Sequence, residues 1–462
     1  MSIKKGQIVE LEVDGIAFGG KGVAHIGKLV IFVDGAVPGD RVTAQIYKKK
    51  RRFGEARTRG ILTASKDRVN APCPYVGWCG GCRWQFLEYA MQLEYKRQHV
   101  AEALAHIGGL EVVPVHATIP SEKIFGYRNK MEFSGSDRRW LLPSEMEDGG
   151  LQTDFALGLH VPGTFYKVLD IEACLLQPGL GNELLDFCRQ KMLTSGLPAY
   201  GLRSHSGFWR FLMLRHSTAR NQWMVNLITS ESNPGVLQSM AQEVMGRFPQ
   251  VISVINNVTA RKASITVGES ETCLAGSDTL TEKIGARTFE ISANSFFQTN
   301  TNGAAALYNV VDQYAELDGT QRLLDLYCGT GSIALYLAGK ARNVVGFELV
   351  ESAVADARWN AELNGVGNCR FVVGDVRQLL AGFDEDVDIM IIDPPRAGMH
   401  QAVAAKVLHN RPRKIVYVSC NPSTLARDLA LLKGAYHIAE VQPVDMFPHT
   451  WHIEAVARLE LK

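Results

Sequence analysis

Three patterns in this chain have residue types and spacing suited to chemistry. The first is a thiol, Cys420, at the exit of the apolar run 414–418 and directly ahead of Asn421-Pro422-Ser423. Asn is a good helix cap and Pro fits the first helical position, so the spacing predicts a helix that begins just after the cysteine. A helix N-terminus favours a thiolate, so Cys420 is a candidate nucleophile with a lowered thiol pKa. The second pattern is DMFPHTWHIE at 445–454, where Glu454 stands among apolar and aromatic residues. Partial burial raises a carboxyl pKa and suits it to accept a proton. His449 and His452 are second choices for that role. The third is CPYVGWCGGC at 73–82, a C-x5-C-x2-C pattern. Three cysteines so close together point to metal binding. Cys174, after a turn and outside any helical stripe, is the best fourth ligand. On thiolate chemistry alone, Zn2+ and an iron–sulfur cluster fit equally.

The elements that must position these groups can be read in outline. Residues 4–60 hold five short strand candidates with Gly, Asp and Pro turns, the pattern of a small OB-like barrel. This stretch carries twelve Lys/Arg against six Asp/Glu, although the whole chain has a net charge of only +1. Five of those basic residues are consecutive, 48–52, and suit phosphate contact. Residues 85–107 have helical spacing. Residues 111–290 mix strands and helices without a strict rhythm. From about residue 291, strand, Gly-rich turn and helix recur at the pace of a doubly wound sheet. The expected architecture is therefore multidomain: a barrel (1–60), an α+β central domain with the Cys cluster (61–290) and an α/β Rossmann-like domain (291–462). The 85–107 helix is a candidate to pack on the last of these.

In that last domain, four predicted strands each end on a Gly or an acid. RLLDLYCGTGS (322–332) carries Gly329 and Gly331. Strand 343–347 ends on Glu348, 23 residues after Asp325. Strand 370–373 is followed by Gly374-Asp375, and strand 387–392 by Asp393-Pro394-Pro395. Ligands of open α/β sheets bind at this carboxyl edge, and Glu348 stands where a ribose-binding acid belongs. A dinucleotide turn would show a third glycine, and position 334 is Ala. DxxCGTG looks instead like a methyltransferase turn that holds S-adenosylmethionine. A methyl transfer that needs a thiolate is transfer to C5 of a pyrimidine. Attack at C6 makes C5 nucleophilic, and a base then removes the C5 proton so that the cysteine can leave.

SCNPSTLARDL, IIDPPRAG, LDLYCGTGS and FFQTN together resemble the RNA uracil-C5 methyltransferases. The order of the upstream segments is similar to the branch with a TRAM barrel and an iron–sulfur cluster that modifies 23S ribosomal RNA. The resemblance implies Cys420 as nucleophile and Glu454 as the C5 base. It implies cofactor contacts at Gln298, Tyr327, Glu348, Asp375 and Asp393, the last also near the uracil. Phe296 matches an aromatic beside the flipped base, and Ser332 a weaker cofactor position. It also implies a 4Fe-4S cluster on Cys73, Cys79, Cys82 and Cys174, with a structural or RNA-positioning role. Tyr127-Arg128-Asn129-Lys130 is a further candidate RNA contact. The T-loop uridine of transfer RNA is the alternative substrate. Apolar runs are too short to span a bilayer and no signal peptide precedes the first strand, so a cytoplasmic monomer is expected.

Overall fold

A computed structural model describes residues 3–147, 150–263 and 265–462. Residues 1 and 2 of the expected barrel range lie outside it. The N-terminal strands β1 (Ile8–Ile16), β2 (Gly22–Ile26), β3 (Leu29–Asp34), β4 (Arg41–Lys49) and β5 (Phe53–Thr63) close into a barrel of order β1-β2-β3-β5-β4. Alternate residues such as Leu11, Val13, Ile31, Val33, Val42 and Ala44 point inward and fill it. Closure leaves no free edge, so a small apolar core suffices.

After the cysteine loop comes helix α1 (Tyr89–Ala103), which continues through a π-helical turn, Leu104–Gly108. The helix starts at Tyr89, later than its sequence spacing suggests, because Arg83 and Trp84 donate their backbone N–H groups to the His449 carbonyl instead. Val100, Ala103 and Leu104 then pack into the C-terminal core beside Leu425, Ala426 and Leu429.

The middle of the chain builds a seven-stranded sheet. Its strands are β6 (Lys130–Ser136), β7 (Ala156–His160), β8 (Val168–Asp170), β9 (Trp209–Ser217), β10 (Gln222–Thr229), β11 (Val251–Val258) and β12 (Ser270–Gly276), in order β12-β11-β10-β9-β6-β7-β8. Helices α2 (Gly179–Thr194) and α3 (Pro234–Arg247) cover it through Leu184, Leu185, Leu237 and Met240. A hairpin, β13 (Thr279–Ile284) and β14 (Arg287–Ser292), follows. Its Ile284, Phe289 and Ile291 enter the C-terminal core.

The C-terminal unit begins with α4 (Thr301–Ala315). It continues β15 (Arg322–Leu326), α5 (Ser332–Leu337), β16 (Asn343–Glu348), α6 (Glu351–Leu363), β17 (Cys369–Val373), α7 (Val376–Leu379), β18 (Ile389–Ile392), α8 (Gln401–Asn410), β19 (Lys414–Ser419), α9 (Pro422–Leu432), β20 (Tyr436–Val444) and β21 (Glu454–Leu461). The sheet order is β17-β16-β15-β18-β19-β21-β20, parallel except at β21 and β20. The strands are apolar runs because helices cover both faces. Strand order reverses between β15 and β18, and the crevice of such a sheet opens at that switch point. No helix among the described residues is long and apolar enough to cross a membrane.

Candidate active site

The antiparallel strand β21 brings the thiol and the carboxyl together. Ser419, the last residue of β19, pairs with Ala455, the second residue of β21. Cys420 therefore leaves the sheet where Glu454 enters it, although 33 intervening residues separate them in sequence. Asn421 caps α9 by accepting from the Ser423 N–H at 3.0 Å, and Pro422 occupies the first turn, as the sequence pattern predicts.

The thiol is not activated by this helix terminus. Burial, the nearby Glu454 and Asp393 carboxyls, and only partial relief from Arg396 push Cys420 up to about 11. The expectation of a lowered thiol pKa fails because the thiol is half-buried and, after burial, the Glu454 and Asp393 carboxyls disfavour its charge. Glu454 is 9 % exposed. Burial and Asp393 raise its carboxyl to about 8 against the opposing pull of Arg396 and Lys96. Asp393 stands at the end of β18, and dense packing around its carboxyl moves it up to about 7. Two buried acids and the thiol thus share one corner, and each disfavours the charge of its neighbours. His449 and His452 are both driven down to about 4, mainly by burial. His449 is turned toward α1, where Gln92 meets its Nδ1 at 3.2 Å, and its ring stacks on Phe125.

The expected cofactor residues gather on the carboxyl edge. Tyr327 takes a positive φ of 64° as the chain leaves β15. Gly331 has φ 74°, and a Cβ there would lie 2.9 Å from Phe371, so the turn demands glycine. Glu348 accepts from the Gly329 N–H at 3.0 Å and the Val350 N–H at 2.9 Å, which ties the end of β16 to the glycine turn. Asp375 caps α7 and is paired with Arg377, which holds its carboxyl near 2. Gln298 lies on the loop between β14 and α4, whose Phe296 is 68 % exposed. The central sheet grips this loop. Asn129 donates to the Gln298 carbonyl and to Thr301, and Arg215 donates to the Ala293 and Ser295 carbonyls. Ser332 is engaged with Tyr308 at 2.7 Å.

Two groups escaped the sequence reading. Asp325 is 1 % exposed, and burial, with Asp393 nearby, raises its carboxyl well above its ordinary value despite the opposing Ala334 backbone N–H. Its position inside the LDLYCGTGS strand was the available signal. The other is Lys96, fully buried on α1, which donates to Asp445 at 2.6 Å and to the Phe447 carbonyl at 3.1 Å. It holds the segment that leads into Glu454. The Tyr127–Lys130 expectation is corrected in part. Tyr127 and Asn129 are buried struts, with Tyr127 donating to the Pro448 carbonyl, and Lys130 is paired with Glu132. Arg128 keeps an unpartnered Nε and borders the large cavity.

That cavity, of about 710 Å3, is lined by Cys73, Cys79, Cys82 and Cys174 and also by Arg396, Trp451 and His452. Burial raises all four thiols, and neighbouring thiols add to the rise at Cys79, Cys82 and Cys174. Among the described residues, no three His, Cys, Asp or Glu side chains are grouped as a single metal ion would require.

The parallel sheet with its antiparallel hairpin and the glycine turn at the switch point make a doubly wound α/β ligand site, joined to a separate small barrel. Residues 277–462 match the family model described as tRNA (Uracil-5-)-methyltransferase, and residues 3–58 match the TRAM domain. An uncharacterized RNA methyltransferase of Chlorobaculum tepidum is 43% identical, covering 99% of this chain and 97% of its own length. One of Porphyromonas gingivalis is 40% identical over 97% and 99%. The crystal structure of Pyrococcus abyssi tRNA (uracil-54, C5)-methyltransferase with S-adenosyl-L-homocysteine is 29% identical, with a TM-score of 0.76, over 98% of this chain and 100% of that one. The chain belongs to the RNA uracil-C5 methyltransferase family.

Proposed function

We propose that this protein methylates C5 of a specific uridine in 23S ribosomal RNA through a covalent Cys420 adduct. The observation that carries the chemistry is the β19–β21 register, which sets Cys420 beside Glu454 at the sheet edge where the cofactor belongs. S-adenosylmethionine, when bound by Gln298, Tyr327, Glu348, Asp375 and Asp393, supplies the electrophilic methyl group. Cys420 Sγ gives up its proton to a neighbouring carboxylate and bonds to C6 of the uracil. C5 then takes the methyl group as the sulfonium S–CH3 bond breaks, leaving S-adenosylhomocysteine. Glu454 in its carboxylate form removes the C5 proton, the C5–C6 double bond re-forms, and the C6–S bond breaks to return the thiolate. Phe296, exposed on its gripped loop, offers a face on which the extruded base can stack.

For the cysteine cavity, four thiolates suit Zn2+ and an iron–sulfur cluster equally, and the resemblance in segment order favours a 4Fe-4S cluster on Cys73, Cys79, Cys82 and Cys174. Bound there, it would staple the 73–82 loop to the segment after β8. Iron and acid-labile sulfide analysis of anaerobically purified protein tests it, and zinc alone would overturn it. The three-part layout 1–60, 61–290 and 291–462, with the hairpin bridging the last two, and a cytoplasmic monomer complete the reading.

The likeness to the Pyrococcus abyssi enzyme along the whole chain favours a second reading, the same chemistry on the T-loop uridine of tRNA. Mass mapping of the methylated nucleotide, with undermodified ribosomal RNA and unmodified tRNA offered together, separates them. Methyl transfer to ribosomal RNA alone is expected. Transfer to tRNA alone would contradict the leading substrate.

A further inference from the structure

A row of aromatic rings and cations without ion pairs runs from the barrel to the loops at the β8 edge of the central sheet, beside the cysteine cavity. The Arg57 guanidinium on β5 lies 5.4 Å from the ring of Trp78 in the cysteine loop. Trp78 and Trp140 are 5.8 Å apart, and Lys167 sits 5.8 Å over the Trp140 ring. Arg203 lies 3.7 Å over Tyr166, which meets Phe165 edge-on at 5.3 Å. Phe165 is 65 % exposed. It directly follows Pro162, Gly163 and Thr164, which line the cavity that reaches Arg396 and His452 beside the thiol.

Trp78 and Trp140 rest one side on the central core and Tyr166 on a smaller cluster, but packing accounts neither for Phe165 nor for the cations. Neighbouring Arg83, Lys130 and Arg139 are each bound to a carboxylate. Arg57, Lys167 and Arg203 form no ion pair with any described residue, so their charge stays available. An exposed Phe at a loop tip costs solubility and supports no core. Rings that accept flat stacking partners, interleaved with free cations, match single-stranded nucleic acid, which offers both faces and phosphates. An acidic peptide would use the cations and leave the rings unused.

We propose that single-stranded RNA flanking the target uridine is held along this row, with bases stacked on Phe165 and on the Trp78–Trp140 pair and phosphates met by Arg57, Lys167 and Arg203. The inference rests on RNA as substrate and not on which RNA or on the Cys420 chemistry. The barrel and the row then form one continuous track that delivers the extruded base to the crevice.

Photocrosslinking the full-length protein to a short oligonucleotide carrying 5-iodouridine tests it, with peptide mapping of the adducts. Crosslinks at Trp78, Trp140, Phe165 or Tyr166 are expected. Fluorescence anisotropy with a labelled oligouridylate should show about tenfold weaker binding for Phe165→Ala combined with Arg203→Ala. Phe165→Tyr should retain affinity because its ring still stacks. Crosslinks confined to the barrel and the C-terminal unit, affinity unchanged in the double variant, or equal competition by polyglutamate would each overturn the track. Neither readout requires methyl transfer, so failure of the Cys420 adduct and failure of the track are separately visible.

Discussion

At Cys420 and Glu454, burial is used against both groups' ordinary ionisation. A thiol pushed up to about 11 and a carboxyl pushed up to about 8 are both mainly protonated at pH 7. The rate of adduct release is therefore expected to climb as pH rises through about 8, because Glu454 must be a carboxylate to take the C5 proton. Single-turnover kinetics between pH 6 and 9 measure it, and a flat profile would remove Glu454 from the role. The same shift has a stability consequence. An unfolded chain releases this proton near 4.5, whereas the folded one keeps it to about 8, so Glu454 costs stability increasingly across that window. Glu454→Gln should melt at a higher temperature than the native protein at pH 8 to 9, while trapping methylated RNA as a covalent adduct. That pairing of gained stability and lost turnover marks a functional group.

At the scale of elements, strand ends and turns position everything, and these were the legible part of the sequence. Apolar runs ending in Gly or acid predicted the carboxyl edge, because strand–turn–helix punctuation is local. Gly331→Ala should destabilise the fold by about 1–3 kcal/mol, since it combines a left-handed φ with contact on Phe371. It should also weaken S-adenosylhomocysteine binding measured by calorimetry. Asn421→Ala should cost about 1 kcal/mol through the lost cap and lower the yield of adduct more than it lowers donor affinity. The thiol's environment was not legible. The helix start after Cys420 can be seen in Asn421-Pro422, but the burial that raises the thiol, and the acids beside it at the ends of β18 and β21, are tertiary. Likewise, the start of α1 moved to Tyr89 because a backbone carbonyl of His449 captured Arg83 and Trp84.

Across the whole molecule, buried polar links join parts distant in sequence. Lys96 and Asp445 are both fully buried and stand 349 positions apart. No spacing rule sees such a pair. Tyr89 donates to the other Asp445 oxygen at 2.9 Å, and Gln92 accepts from the His449 N–H at 2.8 Å, so one face of α1 fixes the 445–451 segment ahead of Glu454. Lys96→Met leaves a buried carboxylate unpaired and should cost about 3–5 kcal/mol in urea unfolding. Adding Asp445→Asn should recover part of that loss. In the single variant the pH limb assigned to Glu454 should also move upward, because Lys96 is one of the two cations that lower it.

The central claim is a sulfur–carbon bond between Cys420 and the target pyrimidine. Incubating the protein with S-adenosylmethionine and ribosomal RNA carrying 5-fluorouridine, followed by peptide mass spectrometry, reads it directly. With fluorine at C5 there is no proton for Glu454 to remove, so the adduct should persist on the peptide containing Cys420 and be absent from Cys420→Ala. Normal methylation of uridine by Cys420→Ala, or an adduct on another cysteine, would contradict the account.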